Sequence, residues 1–74
     1  MMGFQQAQYK YICSRADRGF QYDYADEEKS HESDGYWFLK DYKNRLMATV
    51  VKKTGEVHEA LMPKRAFEEY EYTK

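Results

Sequence analysis

The sequence predicts an α+β domain that is mainly β, built as a curled five-stranded antiparallel sheet or a small barrel with one short C-terminal helix. Three observations lead to this prediction. Residues 35–62 are rich in the β-branched and aromatic residues that strands prefer. Two turn signals divide that stretch into three strands. Pro63 then opens a helical pattern, because proline suits the first position of a helix.

The chain forms a single small domain, residues 1–74, by its length. A domain of this size buries only about 60% of the surface of its unfolded chain. Aromatic residues make up 18% of the sequence, and each can bury about 150–250 Å². We therefore expect a small core in which aromatic side chains replace part of the usual aliphatic packing.

The two turns in the β-rich stretch share one design. In DYKNR the last loop residue is Asn44, and in KKTGE it is Gly55. Asn and Gly are the residues that accept the left-handed conformation needed at the end of a three-residue hairpin loop. The predicted closing pairs are Asp41 with Arg45 and Lys52 with Glu56, which are opposite in charge as facing strand residues should be.

The stretch GYWFLKDY, residues 35–42, lacks the alternation of a half-buried strand. The predicted register groups Tyr36 and Phe38 with Ala48 and Val50 on one face. It groups Trp37, Leu39, Met47, Thr49 and Val51 on the other face. Both faces are mostly apolar, and one short helix cannot cover both. We therefore expect Trp37 in the core and Tyr36 and Phe38 on an open face.

The N-terminal part completes the predicted sheet. Residues 9–14 and 19–25 alternate like strands, with a turn at RADRG between them. A helix over residues 4–16 is the alternative, since Gln and Ala are acceptable there and Tyr9, Ile12 and Cys13 share a helical face. At the C-terminus, PKRAFEEYEYTK predicts a helix with Ala66, Phe67 and Tyr70 along one side, and a strand through YEYTK is less favoured.

Residues 26–35, DEEKSHESDG, contain no apolar side chain. We expect a mobile acidic loop. Charge is uneven around it: residues 23–34 are acidic, whereas residues 35–67 carry a net positive charge. The sequence carries no signal-peptide pattern and one cysteine, and its apolar runs are short, so we expect a cytoplasmic protein.

No motif in the sequence indicates an enzyme, a cofactor site or a metal site. His31, His58 and Glu56 are too few and too scattered for a zinc site. Cys13 lies in an apolar pattern typical of a core residue rather than of a nucleophile. Phosphate-binding glycine motifs are absent from the sequence.

Protein binding is the function that the sequence favours. An open face built around Tyr36, Trp37 and Phe38 has the residue types of interface centres. The acids Glu27, Glu28 and Asp34 would attract a partner with a basic surface. Such a module could act as a small inhibitor or regulator by covering that surface, in the style of small phage or mobile-element proteins, although no motif supports that source. Self-association through the open face is a second version.

Two alternatives remain open at this stage. The first is a barrel that binds single-stranded nucleic acid, because aromatic residues are interleaved with Lys40, Lys43, Arg45, Lys52 and Lys53 in the β-rich half. An isoelectric point near 6.1 argues against it. The second is a small ribonuclease-type toxin that would use His58 and Arg45, although nothing in their spacing favours catalysis.

Overall fold

Two helices enclose an open four-stranded antiparallel sheet. The computed structural model describes residues 2–73. The elements run, in chain order, α1 (Phe4–Asp17), β1 (His31–Glu32), β2 (Tyr36–Lys40), β3 (Leu46–Val51), β4 (Val57–His58) and α2 (Lys64–Thr73). Each strand pairs with the next one along the chain, so the sheet order is β1-β2-β3-β4.

The predicted five-stranded sheet or barrel is therefore wrong. Residues 9–14, expected as a strand, lie inside α1, so the helical alternative is the correct one. Phe4, Ala7 and Tyr11 form its buried stripe, at the spacing of successive helical turns. Tyr9, expected on the same strand face as Tyr11, points to solvent. The local sequence pattern fits a strand or a helix. The helix forms because it buries its apolar stripe against one apolar face of the sheet.

The second predicted N-terminal strand is also wrong, because residues 19–25 have no regular secondary structure. The structure adds a strand elsewhere. His31–Glu32 forms β1 and pairs with Trp37 and Phe38, inside the stretch that we expected to be loop throughout. The expected mobility of that stretch stays a prediction.

The first hairpin follows the prediction. Asn44 has φ 66°, and the Asp41 N–H donates to the Arg45 carbonyl at 2.9 Å. The second turn has Gly55 at φ 79°, as expected, but its loop is one residue longer. The Val51 N–H donates to the Glu56 carbonyl at 2.8 Å, so Val51 closes the hairpin. The predicted pair of Lys52 with Glu56 is wrong.

A β-bulge changes which side chains share a face. Lys40 pairs with Leu46, but Leu39 pairs with Ala48, which leaves Met47 as an extra residue in β3. Because side chains alternate along a strand, one extra residue moves the rest of β3 to the opposite faces. Ala48 and Val50 therefore pack with Leu39 rather than with Phe38, contrary to the predicted grouping.

The sheet has a separate apolar cluster on each face, and the bulge determines which residues of β3 belong to each cluster. On one face, Leu39, Ala48 and Val50 pack against α1, with Trp37 and Val57 at the margin. On the other face, Tyr36 and Phe38 pack against Ala66 of α2, with Val51, Met62 and Tyr70 at the margin. The stretch GYWFLKDY is apolar on both faces because a helix covers each of them.

The C-terminal helix lies where the sequence predicted it, but one of its three expected sheet-facing residues points to solvent. Ala66 and Tyr70 face the sheet, as expected. Phe67 lies on the outer side and is 55% exposed. Residue 67 follows directly after the buried Ala66, so it is turned about 100° around the helix axis.

Candidate functional site

The predicted aromatic binding face is buried. Phe38 has no exposed surface and Tyr36 is 9% exposed, because α2 lies over both. Our expectation that these two residues form an open face is therefore wrong. Trp37 is half-buried on the α1 side, as expected for a core residue, and stacks edge to face on Phe4 with 5.9 Å between ring centroids. Its indole N–H donates to the Met2 carbonyl at 2.9 Å.

The predicted acidic residues do not form one patch. Glu27 and Glu28 are exposed on a turn that begins at Asp26, whose N–H donates to the Lys40 carbonyl at 2.8 Å. Asp34 lies in the connection between β1 and β2, two residues before β2 begins. The acids therefore lie at opposite ends of β2, separated by about 14 Å of strand at 3.4 Å per residue.

The Asp26 turn is held by side-chain hydrogen bonds. The Asp26 carboxylate accepts from the N–H groups of Glu28 at 2.9 Å and of Lys29 at 3.3 Å. The Ser30 hydroxyl donates to the Asp26 carbonyl at 2.8 Å, and it accepts from the Lys40 N–H at 3.0 Å. This arrangement fixes the backbone while the side chains of Glu27 and Glu28 extend into solvent.

Exposed aromatic residues concentrate in a segment that we expected to be a strand. Phe20, Tyr22 and Tyr24 are all exposed, and Tyr24 is 69% exposed. The rings of Tyr22 and Tyr24 contact each other edge to face, with centroids 6.0 Å apart. The nine residues 20–28 also contain four acidic residues and no basic one. We call residues 20–28 the aromatic–acidic segment.

The end of α1 directs the chain into this segment. The Gly19 N–H donates to the Ala16 carbonyl at 3.0 Å, and the Phe20 N–H donates to the Arg15 carbonyl at 2.9 Å. This pair of bonds is a Schellman cap, which needs a left-handed residue at its first position past the helix. Gly19, at φ 76°, supplies it. The chain then turns back beside α1.

Two further contacts hold the segment against α1. The Arg15 side chain donates to the Gln21 carbonyl, and the Ala25 N–H donates to the Gln8 side chain, both at 2.5 Å. Arg15 and Gln8 are two turns apart on the helix, about 10 Å along its axis. The chain between Gln21 and Ala25 therefore runs alongside α1, with Tyr22 and Tyr24 between the two contacts.

Phe20 is 52% exposed and lies beside two arginines of α1. The guanidinium carbons of Arg15 and Arg18 lie 5.3 Å and 5.2 Å from its ring centroid, within cation–π range. Both arginines also form ion pairs with Glu59, just after β4. The two arginines therefore hold Phe20 beside α1, and Tyr24 is the most exposed aromatic residue of the segment.

The basic residues of the hairpins do not form a common surface. Arg45 pairs with Asp41 at 2.9 Å, and Lys52 pairs with Glu32 at 2.5 Å. Lys43 lies over the ring of Tyr42, with 5.6 Å from its amine to the centroid. Lys40 is 8% exposed and lies over the ring of Tyr70 instead. Binding of a nucleic-acid backbone needs exposed, unpaired cations. Arg45 and Lys52 are in ion pairs and Lys40 is buried, which leaves Lys43 and Lys53 as the exposed lysines of the two hairpins.

The residues considered for catalysis do not converge. Nε2 of His58 lies 2.5 Å from Glu56 Oε1, and Arg45 is engaged with Asp41 on the other hairpin. Cys13 lies half-buried on α1. Within residues 2–73, no three His, Cys, Asp or Glu side chains come close enough together to hold a metal ion.

Asp34 borders an open cleft of about 720 Å³ between the β1–β2 connection and α2. Within it, the Glu69 carboxylate accepts from the Ser33 hydroxyl at 2.5 Å and from the Gly35 N–H at 3.2 Å. The Ser33 hydrogen bond is the main cause that lowers the pKa of Glu69 below its usual value. These bonds fasten α2 to the sheet, so the polar groups of Glu69, Ser33 and Gly35 in the cleft have a structural role.

In comparisons with known proteins, no family model, curated protein or solved structure matches this chain. Neither described helix has the length and apolar character needed to cross a membrane.

Sequence reasoning missed the tyrosine pair because residues 19–25 alternate like a buried strand. The signal that distinguishes the two cases is the pattern of their neighbours. Gln21 and Asp23 separate the aromatic residues, Gly19 ends a helix just before them, and three consecutive acids follow at Asp26, Glu27 and Glu28.

Proposed function

We propose that this chain is a non-enzymatic protein-binding module that recognises a basic protein surface through the aromatic–acidic segment. The observation that carries the proposal is the exposed aromatic set of residues 20–24, which continues directly into acidic residues without an intervening base. In this proposal the chain acts in the cytoplasm by covering a surface of a larger protein, as a small inhibitor or regulator does.

The chemistry of the segment suits lysine- and arginine-rich surfaces. Tyrosine rings attract cations through their faces, and tyrosine is enriched among the residues that dominate interface energies. The exposed carboxylates of Glu27 and Glu28 add long-range attraction, which raises the association rate at low ionic strength. Hydrogen bonds tie the backbone of the segment to Gln8 at Ala25 and to Lys40 at Asp26, which lowers the entropy that the segment loses on binding.

Tyr24 contributes little to the packing of the domain. It leaves most of its surface in solvent, and its ring contact is with Tyr22 rather than with the core. Substituting Tyr24 should therefore leave the fold unchanged. A loss of binding in such a variant then reports on the interface rather than on unfolding.

Site-directed photocrosslinking tests the proposal. A photoreactive phenylalanine analogue replaces Tyr24 in the full chain, and a second protein carries it at Tyr72, which is 91% exposed on α2. Each is irradiated in lysate of the source cells, with and without nuclease treatment. We expect a discrete protein adduct at position 24, absent at position 72, and weakened when Glu27→Gln and Glu28→Gln are added.

The binding energy of the tyrosine follows from the same complex. Tyr24→Ala should weaken binding of the purified partner by about 1–3 kcal/mol, the range of an interface anchor, while Tyr72→Ala should have no effect. Equal crosslinking at positions 24 and 72 would refute the proposal. Adducts that disappear on nuclease treatment would favour nucleic-acid binding, and an adduct of twice the chain mass would identify a second copy as the partner.

A further inference from the structure

His31 occupies the contact between the sheet and α2. It lies on β1 opposite Phe38, and their ring centroids are 5.1 Å apart. On its other side the imidazole stacks on Tyr70 of α2, with 5.3 Å between centroids and 28° between the rings. Nε2 of His31 is buried and has no hydrogen-bond partner within the described part of the chain.

The surroundings of His31 oppose a positive charge. From β2, the neighbouring charged group is Lys40, whose amine lies 5.3 Å from the centroid of the same Tyr70 ring. From α2, the titratable group that faces the imidazole is the Tyr70 phenol. Burial is the main cause that lowers the pKa of His31, and the charge of Lys40 lowers it further. A proton on Nε2 would therefore be buried without an acceptor, beside a second cation.

We propose that His31 is an acid-sensitive latch for α2, whose neutral imidazole holds Tyr70 and whose protonation releases the helix from the sheet. Release uncovers Tyr36 and Phe38, the apolar pair that α2 otherwise buries. This apolar surface would be exposed only at acid pH, and it is separate from the aromatic–acidic segment, which lies beside α1.

The direction of the pH effect follows from linkage. The pKa of His31 is lower with α2 docked than in a solvated imidazole, so the docked state binds fewer protons. Docking is therefore fully favoured above the ordinary histidine pKa of about 6.5, and it weakens as the pH falls toward the lower pKa of the docked state. Each unit that separates the two pKa values corresponds to a tenfold change in the docking constant.

The release should be local to α2. The α1 face has its own cluster, in which Leu39, Ala48 and Val50 are buried. Trp37 belongs to that cluster and reports on it independently. Glu69, the residue before Tyr70, stays ionised in the same pH range because hydrogen bonds lower its pKa, so titration of Glu69 does not contribute to the pH response of α2.

Amide hydrogen exchange measured by NMR from about pH 7.5 to pH 5, the range in which histidine titrates, tests the proposal on the full chain. After correction for intrinsic rates, protection of the α2 amides should fall with decreasing pH while protection of α1 stays constant. The ring signals of His31 and Tyr70 should move with one common midpoint. A hydrophobic dye should bind more strongly at the acid end.

Two variants separate the latch from general acid effects. His31→Phe keeps an aromatic ring between Phe38 and Tyr70 but cannot take a proton, so its α2 protection should not change over this range. His58→Gln removes the other histidine, which lies by Glu56, and should behave like the wild type. A pH response that survives His31→Phe would overturn the proposal. So would a His31 ring titration at or above the ordinary value, which can be measured in the wild type even if the variant fails to fold.

Discussion

Two adjacent residues of β2 test whether each sheet face is a separate core. Phe38 points to the α2 side and Leu39 to the α1 side, and both have 0% exposed surface. We therefore compare Phe38→Ala with Leu39→Ala. Each substitution leaves a cavity on one face only, so the two variants probe the two helix contacts independently.

The expected losses are large relative to the stability of the domain. Truncating a buried Phe to Ala costs about 3–5 kcal/mol, and Leu to Ala about 2–5 kcal/mol. At about 0.05–0.15 kcal/mol per residue, a domain of this size is stable by about 4–11 kcal/mol. Phe38→Ala should lie near the upper half of its range, because the Phe38 ring contacts the rings of His31, Tyr36 and Tyr70.

Urea unfolding followed by circular dichroism measures both losses, and the chain supplies matched controls. Phe67→Ala and Leu61→Ala remove the same side chains from exposed sites, at 55% and 83% exposure, and each should change stability by less than about 0.5 kcal/mol. If Phe38→Ala unfolds at the same urea concentration as Phe67→Ala, then α2 does not cover that face. The corresponding result for Leu39 and Leu61 would refute the α1 packing.

The remaining predictions concern turns and pH. Gly55→Val should destabilise the protein by about 1–2 kcal/mol, because φ is 79° there and a Cβ would lie 3.1 Å from Lys10 Cε. Lys53→Val in the same turn is the control. Equal melting temperatures for the two variants would contradict the turn assignment. Asn44→Gly should be neutral or stabilising in the same melts, since φ is 66°, and a clear loss would show that the Asn side chain is needed. Glu69→Gln should reduce the loss of folding stability below about pH 4.5, the usual carboxyl range. The pKa of Glu69 is lowered in the folded state. The stabilisation by its carboxylate is therefore present above the unfolded pKa and is lost as the pH falls through the folded pKa. A urea series at several pH values measures this effect, and an acid response identical to the wild type would contradict the role of the Ser33 bond.

Features determined by nearby residues were predictable from the sequence. Asn44 and Gly55 adopt the left-handed conformation as expected, since few residue types tolerate it. The helix after Pro63 also appears where its pattern placed it. In each case the residue types within one turn of chain determine the backbone, so no long-range contact is needed to interpret them.

Features that depend on distant contacts were not predictable in the same way. Residues 9–14 fit a helix or a strand locally, and the outcome depends on the apolar face formed by Leu39 and Val50, more than 20 residues away. The bulge at Met47 is equally hidden, because Met47 and Ala48 are both acceptable on either face. One undetected extra residue was enough to exchange the predicted partners of Phe38 and Leu39.

The same physical reason explains why the predicted open face does not exist. We expected Tyr36 and Phe38 to be open because the sequence predicted one covering helix, whereas α2 covers these two residues and α1 covers the opposite face. Tyr22 and Tyr24 are exposed outside the sheet. Residues 18–30 connect α1 to β1, and this connection holds Tyr22 and Tyr24 against the outside of a helix that already has its core partner. Because a helix already covers each sheet face, the core does not require these rings, and partner binding is the role that we propose for them.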